Sequence, residues 1–294
     1  MKLLIIADPG VRENQRLAEE GRRSGHVVDL ARIEDVAFNV GNSGREAILN
    51  GRSICAAYDT LYLRYFYPYF SEALLLAEWA GKRGLRVIDR SLIEENFVYS
   101  KVYDAWRLAE AGVPVPDGFQ VMKLKNAEAL LKNRRWPVVA KGVHGSQGRY
   151  VFQVENLTQA RKSLKKDVVG FFTFQECLKI DEEYRVLVIG GKHLGAMRKV
   201  RPERDFRHNL AVGAAGVRAE LPRALTNLCE RAAAELNREF AGVDLAIAGG
   251  KPYILEVNRR PGFVGFEEAA GINVAKTFIE YVAKNRHRRI AQRR

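Results

Sequence analysis

Short apolar runs alternate with amphipathic stretches over the first 90 residues of the chain. An apolar run within residues 1–7 predicts a buried first strand, and the spacing after it predicts helices and further strands. The predicted strands cover residues 26–30, 60–64 and 86–88, and the predicted helices cover residues 12–23 and 72–82. Because strands alternate with helices, this part is expected to form a small α/β layer.

Helical spacing returns after Lys101. The apolar positions of the predicted helix share one face and are Val102, Ala105, Trp106 and Leu108. Gly112 and the prolines that follow it provide a stop signal. Lys101 would lie in the first turn, where a solvated lysine is the ordinary interpretation because cations are mildly disfavoured at a helix N-terminus.

Two apolar strands near the C-terminus end in oxygen-bearing side chains. Side chains alternate along a strand, so Glu256 and Asn258 are expected to point to one face while Leu255 and Val257 point into the core. The earlier of the two strands carries Asp244. These oxygens are candidates for one shared site.

The turn between these strands decides whether Asp244 joins the site. A three-residue loop of Gly249, Gly250 and Lys251 would place Asp244 directly opposite Glu256. A two-residue Gly-Gly loop would shift the register by one and turn Asp244 to the other face. We therefore predict the longer loop.

Two carboxylates and one amide oxygen suit a hard cation. Mg²⁺ characteristically uses a few protein oxygens and takes its other ligands from water and substrate phosphates. The set Asp244, Glu256 and Asn258 therefore predicts a magnesium site that serves a nucleotide. The alternative is a hairpin with an acidic exposed face.

A glycine-punctuated segment lies in the middle of the chain. Lys141 ends a short β-rich run, and the loop after it contains Gly145, Ser146, Gln147 and Gly148. Glycine lets backbone N–H groups approach phosphate, and lysine supplies a point charge for phosphoryl oxygens. The segment is neither a Walker A motif nor a Rossmann fingerprint. A simple β-hairpin turn is the alternative.

The C-terminal motifs carry a resemblance to a known family. The order Asp244, Glu256-Val-Asn258 and Pro261-Gly262, followed by residues 265–275, resembles the end of the ATP-grasp fold, most closely its RimK-like branch. The resemblance implies an α/β fold with α+β lobes, in which the nucleotide lies between two lobes and a βαβ-type pre-ATP-grasp domain precedes them. The expected domains are residues 1–90, the central lobe at 91–175 and the C-terminal lobe at 176–294.

The resemblance also implies roles for individual residues. Lys101 and Lys141 would reach the nucleotide phosphates beneath a glycine lid, although the family's loop carries a further glycine where this chain has Arg149 and Tyr150. Backbone groups of Gln175, Glu176, Cys177 and Leu178 would bind adenine, and Glu183 would bind the ribose. The transferred phosphoryl group would be contacted by Arg198, Arg207 and Asn209. The alternatives are an exposed acidic turn around Glu183 and a solvated basic loop.

The reaction that the resemblance implies is ATP-dependent ligation of a carboxylate to an amine through an acyl-phosphate. It would use ATP and Mg²⁺, with two ions expected and Mn²⁺ as a substitute, and could add glutamate or another amino acid to an acidic acceptor. Two other interpretations stay open. One is an ATP-binding regulatory or scaffold protein without turnover, and the other is a factor associated with nucleic acid or ribosomes.

The charge and composition of the chain only partly restrict the classes of molecule that it could bind. The 294 residues carry a formal net charge of +13, which suggests anionic partners, and part of it lies in the tail from Arg286 to Arg294. The chain contains no recognisable nucleic-acid-binding motif, so such a partner is weakly supported. Three scattered cysteines argue against a disulfide framework. Without a membrane-length apolar run, a cytoplasmic protein is expected, and a homo-oligomer stays open.

Two arginines directly follow the predicted metal ligands. The RimK-like pattern usually has small residues where this chain has Arg259 and Arg260. We predict that at least one of them contacts an acidic substrate, such as the α-carboxylate of glutamate, an acidic peptide or a protein tail. The alternative is that they face solvent or add to phosphate binding.

Overall fold

The fold is described by a computed structural model covering residues 1–42, 44–93, 100–142, 151–166, 172–200 and 216–285. Within these residues, helices and strands form the mixed α/β architecture that the motifs predicted. None of the described helices is long and apolar enough to span a membrane.

The N-terminal unit contains a parallel four-stranded sheet with helices on both faces. Its strands follow the order β2-β1-β6-β7, and a small antiparallel sheet of β3, β4 and β5 is inserted before β6. Its strands and helices are β1 (Lys2–Ile6), α1 (Arg12–Arg23), β2 (Val27–Ala31), β3 (Val36–Gly41), β4 (Gly44–Leu49), β5 (Arg52–Ser53), α2 (Ile54–Ala57), β6 (Thr60–Leu63), α3 (Phe70–Lys82) and β7 (Arg86–Ile88). The predicted α/β layer is confirmed.

The central part begins with a helix and continues into an antiparallel sheet of the order β10-β9-β11-β8. Helices α5 and α6 pack on this sheet around Phe174, Ala127 and Ala160, which are buried. The elements are α4 (Lys101–Glu110), β8 (Gly118–Val121), α5 (Leu124–Leu131), β9 (Val138–Gly142), β10 (Val151–Val154), α6 (Leu157–Lys166) and β11 (Phe172–Glu176).

The C-terminal part is built on an antiparallel sheet of the order β14-β13-β12-β15-β16. One face packs on α7, and the other packs on α8 and α9. The elements are β12 (Ile180–Ile189), β13 (Lys192–Lys199), β14 (Gly216–Ala219), α7 (Arg223–Glu235), β15 (Phe240–Ala248), β16 (Lys251–Asn258), α8 (Val264–Ala270) and α9 (Val274–Lys284).

The N-terminal unit and the C-terminal sheet share one hydrophobic core. Helix α9 packs against α1, and the Phe278 ring lies between Tyr62 of β6 and Phe240 of β15, with ring centroids 5.1 and 4.9 Å away. Arg86 of β7 also crosses this boundary and donates to the Val282 carbonyl at 2.9 Å. The division at residues 90 and 175 stays a prediction, because this continuous core joins the outer two parts.

The hairpin between β15 and β16 differs from the prediction in its loop but not in its outcome. Only Gly249 and Gly250 form the loop, with φ angles of +55° and +73° that glycine adopts without strain. Asp244 nevertheless lies opposite Glu256, because the register shifts by one between Asp244 and Leu245. Leu255 is the extra, unpaired residue of this β-bulge.

Leu255, which was predicted to point into the core, and Trp106, an apolar position of α4, both lie outside the core for local reasons. Leu255 is half-buried instead of pointing into the core, since the bulge gives its place to Ile254. Trp106 lies on the exposed side of α4 with 66% of its surface accessible, and its indole N–H donates to Glu110 at 2.8 Å. Leu108 is the buried residue of this helix.

Candidate functional site

Charged side chains converge on one face of the C-terminal sheet. Arg185 of β12 lies opposite Asp244, which in turn lies opposite Glu256, so all three share a row across three strands. Asn258 lies two residues beyond Glu256 on the same face. The predicted convergence of Asp244, Glu256 and Asn258 is therefore present in the backbone register.

Asp244 is buried and held between two cations. Arg185 donates to both carboxylate oxygens, from Nε to Oδ1 at 2.6 Å and from Nη2 to Oδ2 at 3.0 Å. Lys199 Nζ lies 3.0 Å from Oδ1. Burial alone raises the pKa of Asp244, but the charges of Arg185 and Lys199 outweigh it and hold the pKa below its ordinary value. The Asp244 side chain is therefore a carboxylate at neutral pH.

Lys199 bridges Asp244 to a second buried carboxylate. Its ammonium lies 2.5 Å from Glu183 Oε1, and both side chains are almost fully buried. Glu183 is a residue of β12 and not part of an exposed turn, whereas the neighbouring Asp181 and Glu182 are exposed. The buried carboxylate of Glu183 thus lies on the same face of the sheet as Asp244.

Lys101 reaches the site from the helix that precedes the central sheet. It is the first residue of α4, whose N-cap Ser100 accepts a hydrogen bond from the Tyr103 amide at 3.5 Å. Lys101 Nζ lies 3.5 Å from Glu256 Oε1. The helix is anchored one turn further on, where Asp104 pairs with Arg238 at 2.7 Å.

Lys141 comes to the same cluster from the central sheet. It lies on β9 between Thr173 of β11 and Val151 of β10, and it is half-buried. Removal from water lowers its pKa, and the strongest opposing charge is that of Glu256. The lysine of one lobe is therefore within electrostatic reach of the carboxylates of the other.

The predicted adenine segment leaves the central sheet as an extended strand end. Gln175 pairs with Val139 and Gly118, and Glu176 exchanges two hydrogen bonds with Asp117: its amide donates at 2.8 Å and its Oε1 accepts at 3.0 Å. The Glu176 N–H is therefore engaged, which leaves its carbonyl and the groups of Cys177 and Leu178 as the candidates for a base.

Several predicted residues cannot be placed. Those that lie outside the described residues are Gly145, Ser146, Gln147, Gly148, Arg207 and Asn209. Their roles stay predictions.

Arg198 lies on the opposite face from the cluster. It pairs across the strands with Tyr184, whose side chain belongs to the core beneath α7, and Arg198 itself is exposed. The neighbouring Lys199 lies on the face of the cluster, near Asp244. The role of Arg198 at the transferred phosphoryl group stays a prediction.

Sequence reasoning missed Arg185 and Lys199. The alternation of a strand could have identified Arg185, because it lies two residues beyond Glu183 on the same face. Lys199 could be found only from the register of β12 with β13, which one sequence does not specify.

The two arginines after Asn258 point in different directions. Arg259 has 9% of its side chain exposed, donates from Nη2 to the Leu63 carbonyl at 2.7 Å, and lies 3.6 Å from Asp89 through Nε. Arg260 is exposed and stacks on the ring of Tyr65, with 4.3 Å between the guanidinium carbon and the ring centroid. The buried contacts of Arg259 fit an anchor between domains, whereas Arg260 remains accessible.

The chemistry of the donor set fits Mg²⁺. The described residues contain no group of three or more acidic, histidine or cysteine side chains suited to a metal. The predicted set has two carboxylates and one amide, and the register places Asp244 opposite Glu256 with Asn258 two residues further on. Asp244 Oδ2 accepts one hydrogen bond and keeps a further lone pair. A few oxygens of this kind suit an ion that completes its shell with water and phosphate.

Comparison with known proteins agrees with the motifs. The model of the RimK-like ATP-grasp domain matches residues 101–282. A relative from Stenotrophomonas maltophilia, named a probable alpha-L-glutamate ligase, is 35% identical over 97% of this chain and 99% of its own length. A protein of the same name from Psychromonas ingrahamii is 28% identical over 97% and 96% of the two chains.

Solved structures share the fold at low sequence identity. The ATP-grasp ligase PsnB in complex with a minimal precursor superposes with a TM-score of 0.75 at 20% identity, covering 97% of this chain and 99% of PsnB. A RimK domain ATP-grasp protein from Sphaerobacter thermophilus gives 0.69 at 18% identity, with coverage of 96% and 99%. The ATP-grasp fold and the enzyme class, an ATP-grasp ligase, are confirmed at the level of the family. The chain therefore belongs to the RimK-like ATP-grasp family.

Proposed function

We propose that the protein is an ATP- and Mg²⁺-dependent ligase that joins a carboxylate to an amine. The observation that carries the proposal is the convergence of Asp244 and Glu256 with Lys101, Lys199 and Arg185 on one face of the sheet. Membership of the RimK-like family supports it. Paired carboxylates among fixed cations are the chemistry that a phosphoryl group and its metal require.

The proposed reaction has two steps. A carboxylate oxygen of the substrate attacks the γ-phosphorus of ATP, the bond to the β-γ bridging oxygen breaks, and ADP leaves. The amine nitrogen then attacks the carbonyl carbon of the acyl-phosphate, the carbon–oxygen bond to phosphate breaks, and the amine proton passes to solvent or to the leaving phosphate. Positioning and charge neutralisation provide the acceleration, so no side-chain nucleophile is needed.

The cations divide the work by position. Lys101 and Lys141 would contact phosphoryl oxygens from the helix and the central sheet. Lys199 and Arg185 hold Asp244 ionised and fixed before the nucleotide arrives, which limits the reorganisation that the reaction requires. Arg198, Arg207 and Asn209 are proposed to contact the transferred phosphoryl group.

The acidic side chains and the adenine segment complete the nucleotide site. Asp244, Glu256 and Asn258 would hold Mg²⁺, which draws negative charge from the phosphoryl oxygens when it is bound. Two ions are proposed, with Mn²⁺ as a substitute. Glu183 would accept hydrogen bonds from ribose, and backbone groups of residues 175–178 would bind adenine. Residues 145–148 would cover the phosphates.

Glutamate is the proposed amine substrate, and an acidic amino acid, peptide or protein tail is the proposed acceptor. Relatives named probable alpha-L-glutamate ligases support glutamate, and ligases of the same fold solved with precursor peptides support a peptide acceptor. ATP as the phosphoryl donor is consistent with a cytoplasmic protein.

ADP formation in a substrate screen tests this proposal. Purified protein with Mg²⁺ and ATP is supplied with pairs of amino acids and acidic peptides, and products are measured by mass. We expect ADP only when both an amine and a carboxylate are present, together with a mass gain of one residue. Asp244→Asn should abolish turnover, whereas Glu230→Gln, which changes an acid of α7 on the other side of the sheet, should not. ADP release that is independent of both substrates would contradict ligation.

A further inference from the structure

The strand order of the N-terminal sheet creates a topological switch point near the end of β16. Strand β1 lies between β2 and β6, and α1 packs on one face of the sheet while α3 packs on the other. The chain therefore leaves β1 and β6 in opposite directions, which makes a topological switch point at their carboxyl ends. Open α/β sheets bind ligands at such switch points.

The loop that follows Asn258 is fastened to the carboxyl end of β6. Arg64, which directly follows β6, is buried and donates from Nη2 to the Pro261 carbonyl at 2.7 Å. Arg259 donates to the Leu63 carbonyl at the end of β6. The Pro261 backbone and the Arg259 side chain, one on each side of Arg260, are thus both held by hydrogen bonds.

Arg260 is held on an aromatic surface at this place. Its guanidinium lies 4.3 Å from the ring centroid of Tyr65, which has 36% of its surface exposed. A guanidinium stacked on a ring keeps its N–H groups in the plane, where they can donate to a carboxylate with two parallel hydrogen bonds. We name the pair Tyr65 and Arg260 the Tyr-Arg shelf.

The Tyr-Arg shelf lies next to the metal ligands but outside their row. Arg260 is two residues from Asn258, which limits the separation of their Cα atoms to about 7 Å. Lys101, Lys199 and Arg185 are already paired with the carboxylates of that row, Lys101 with Glu256 and the other two with Asp244. A second anion, held beside the reacting groups, is what the shelf is placed to receive.

We propose that the Tyr-Arg shelf binds a carboxylate of the acidic acceptor and selects acidic over neutral acceptors. This inference rests on the proposed ligase function and deepens it. Arg260 binds the carboxylate directly. Tyr65 acts as a positioning residue that keeps the guanidinium plane in place.

Binding of a labelled tetraglutamate peptide to the full-length protein tests the Tyr-Arg shelf without requiring turnover. Tetraglutamine is the uncharged counterpart. We expect tetraglutamate to bind more tightly, and Arg260→Gln to weaken it about tenfold, the size of one charge-assisted hydrogen bond. The control Arg223→Gln removes the same charge from α7, on the other side of the C-terminal sheet, where the side chain is 64% exposed. It should change binding less than twofold.

Variants of Tyr65 test whether binding depends on the position of the Arg260 guanidinium as well as on its charge. Tyr65→Phe keeps the stacking ring and should bind tetraglutamate like the wild type, while Tyr65→Ala should weaken binding about threefold, within the range of an exposed cation–π contact. In all variants the KM for ATP should stay unchanged.

The outcomes distinguish this inference from the proposed function. The proposed role of the Tyr-Arg shelf would be overturned if Arg260→Gln and Arg223→Gln weakened tetraglutamate binding equally, or if the protein did not prefer tetraglutamate over tetraglutamine. If ADP still formed with both substrates, the proposed ligase function would stand. A single-stranded oligonucleotide that binds through Arg260 when tetraglutamate does not would overturn it in favour of a nucleic acid. Absence of ADP formation with every pair of substrates refutes the ligase instead.

Discussion

Replacing Arg259 with methionine tests whether this residue is an anchor between domains. Methionine keeps an apolar side chain of similar length but removes the charge. The variant loses the hydrogen bond from Nη2 to the Leu63 carbonyl and the ion contact with Asp89, which is fully buried. It also loses the cation stacked 4.9 Å from the ring centroid of Phe66.

The cost follows from leaving buried groups without a partner. Removing one partner of a buried ion pair costs about 3–5 kcal/mol of stability, and this figure includes the cost of leaving the Leu63 carbonyl without its hydrogen bond. At about 2 °C per kcal/mol for a long chain, the melting temperature should fall by about 6–10 °C. Asp89→Asn combined with Arg259→Met should lose at least about 1 kcal/mol less than the sum of the two single changes, because they share one contact.

Urea unfolding at pH 7.5 measures these differences, with Arg260→Met as the matched control on the adjacent, exposed arginine. The control should lose less than about 1 kcal/mol, as surface charges do. The reasoning is refuted if Arg259→Met unfolds at the same urea concentration as the control. A rise in the KM of the acceptor at unchanged stability would restore Arg259 as a substrate residue.

Three further predictions concern single groups of the described structure. Lys199→Met should lower kcat at least about a hundredfold, because it removes a fixed cation between two buried carboxylates. The control Lys192→Met changes an exposed lysine and should leave kcat unchanged. Steady-state kinetics in which both variants kept full activity would refute this prediction. Burial raises the pKa of Asp89 to about 6, so the folded state holds a proton that the unfolded state releases between about pH 4 and 6, and stability falls by about 3 kcal/mol over that range. Asp89→Asn should therefore gain about 3 kcal/mol relative to the wild type between pH 4 and 7 in urea unfolding, and a constant difference would contradict the buried carboxylate. Bound ATP should slow alkylation of Cys177 at least about tenfold, whereas Cys55, in the N-terminal unit, should be alkylated at the same rate with and without ATP. Equal protection of both cysteines, measured by mass spectrometry, would count against adenine binding at residues 175–178.

Much of the fold follows from hydrophobic spacing. The predicted helices over residues 12–23 and after Lys101 are present, and so are the strands of the parallel sheet. Periodicity fails for Trp106, because an aromatic ring at the edge of an apolar stripe can lie outside and pair its N–H with Glu110.

The sequence pointed to Asp244, Glu256 and Lys101 of the charged cluster but not to Arg185 and Lys199. The pairing of Asp244 with Glu256 is confirmed, but the bulge at Leu255 provides the register that we had assigned to loop length. A bulge leaves no signature in one sequence, since its extra residue resembles any other strand residue. The same limit applies to Arg259 and Arg260, because adjacent residues point to different sides and the sequence does not say which one is buried.

Transfer of oxygen from the substrate to phosphate tests the central claim most directly. The acceptor is prepared with ¹⁸O in its carboxylate and incubated with the protein, Mg²⁺, ATP and glutamate, and the released phosphate is analysed by mass. Attack of the carboxylate on the γ-phosphorus, followed by loss of phosphate to the amine, carries one labelled oxygen into each phosphate. We expect one ¹⁸O per phosphate from the wild type and no labelled phosphate from Asp244→Asn. Release of unlabelled phosphate while the product forms would contradict an acyl-phosphate and the ligase mechanism with it.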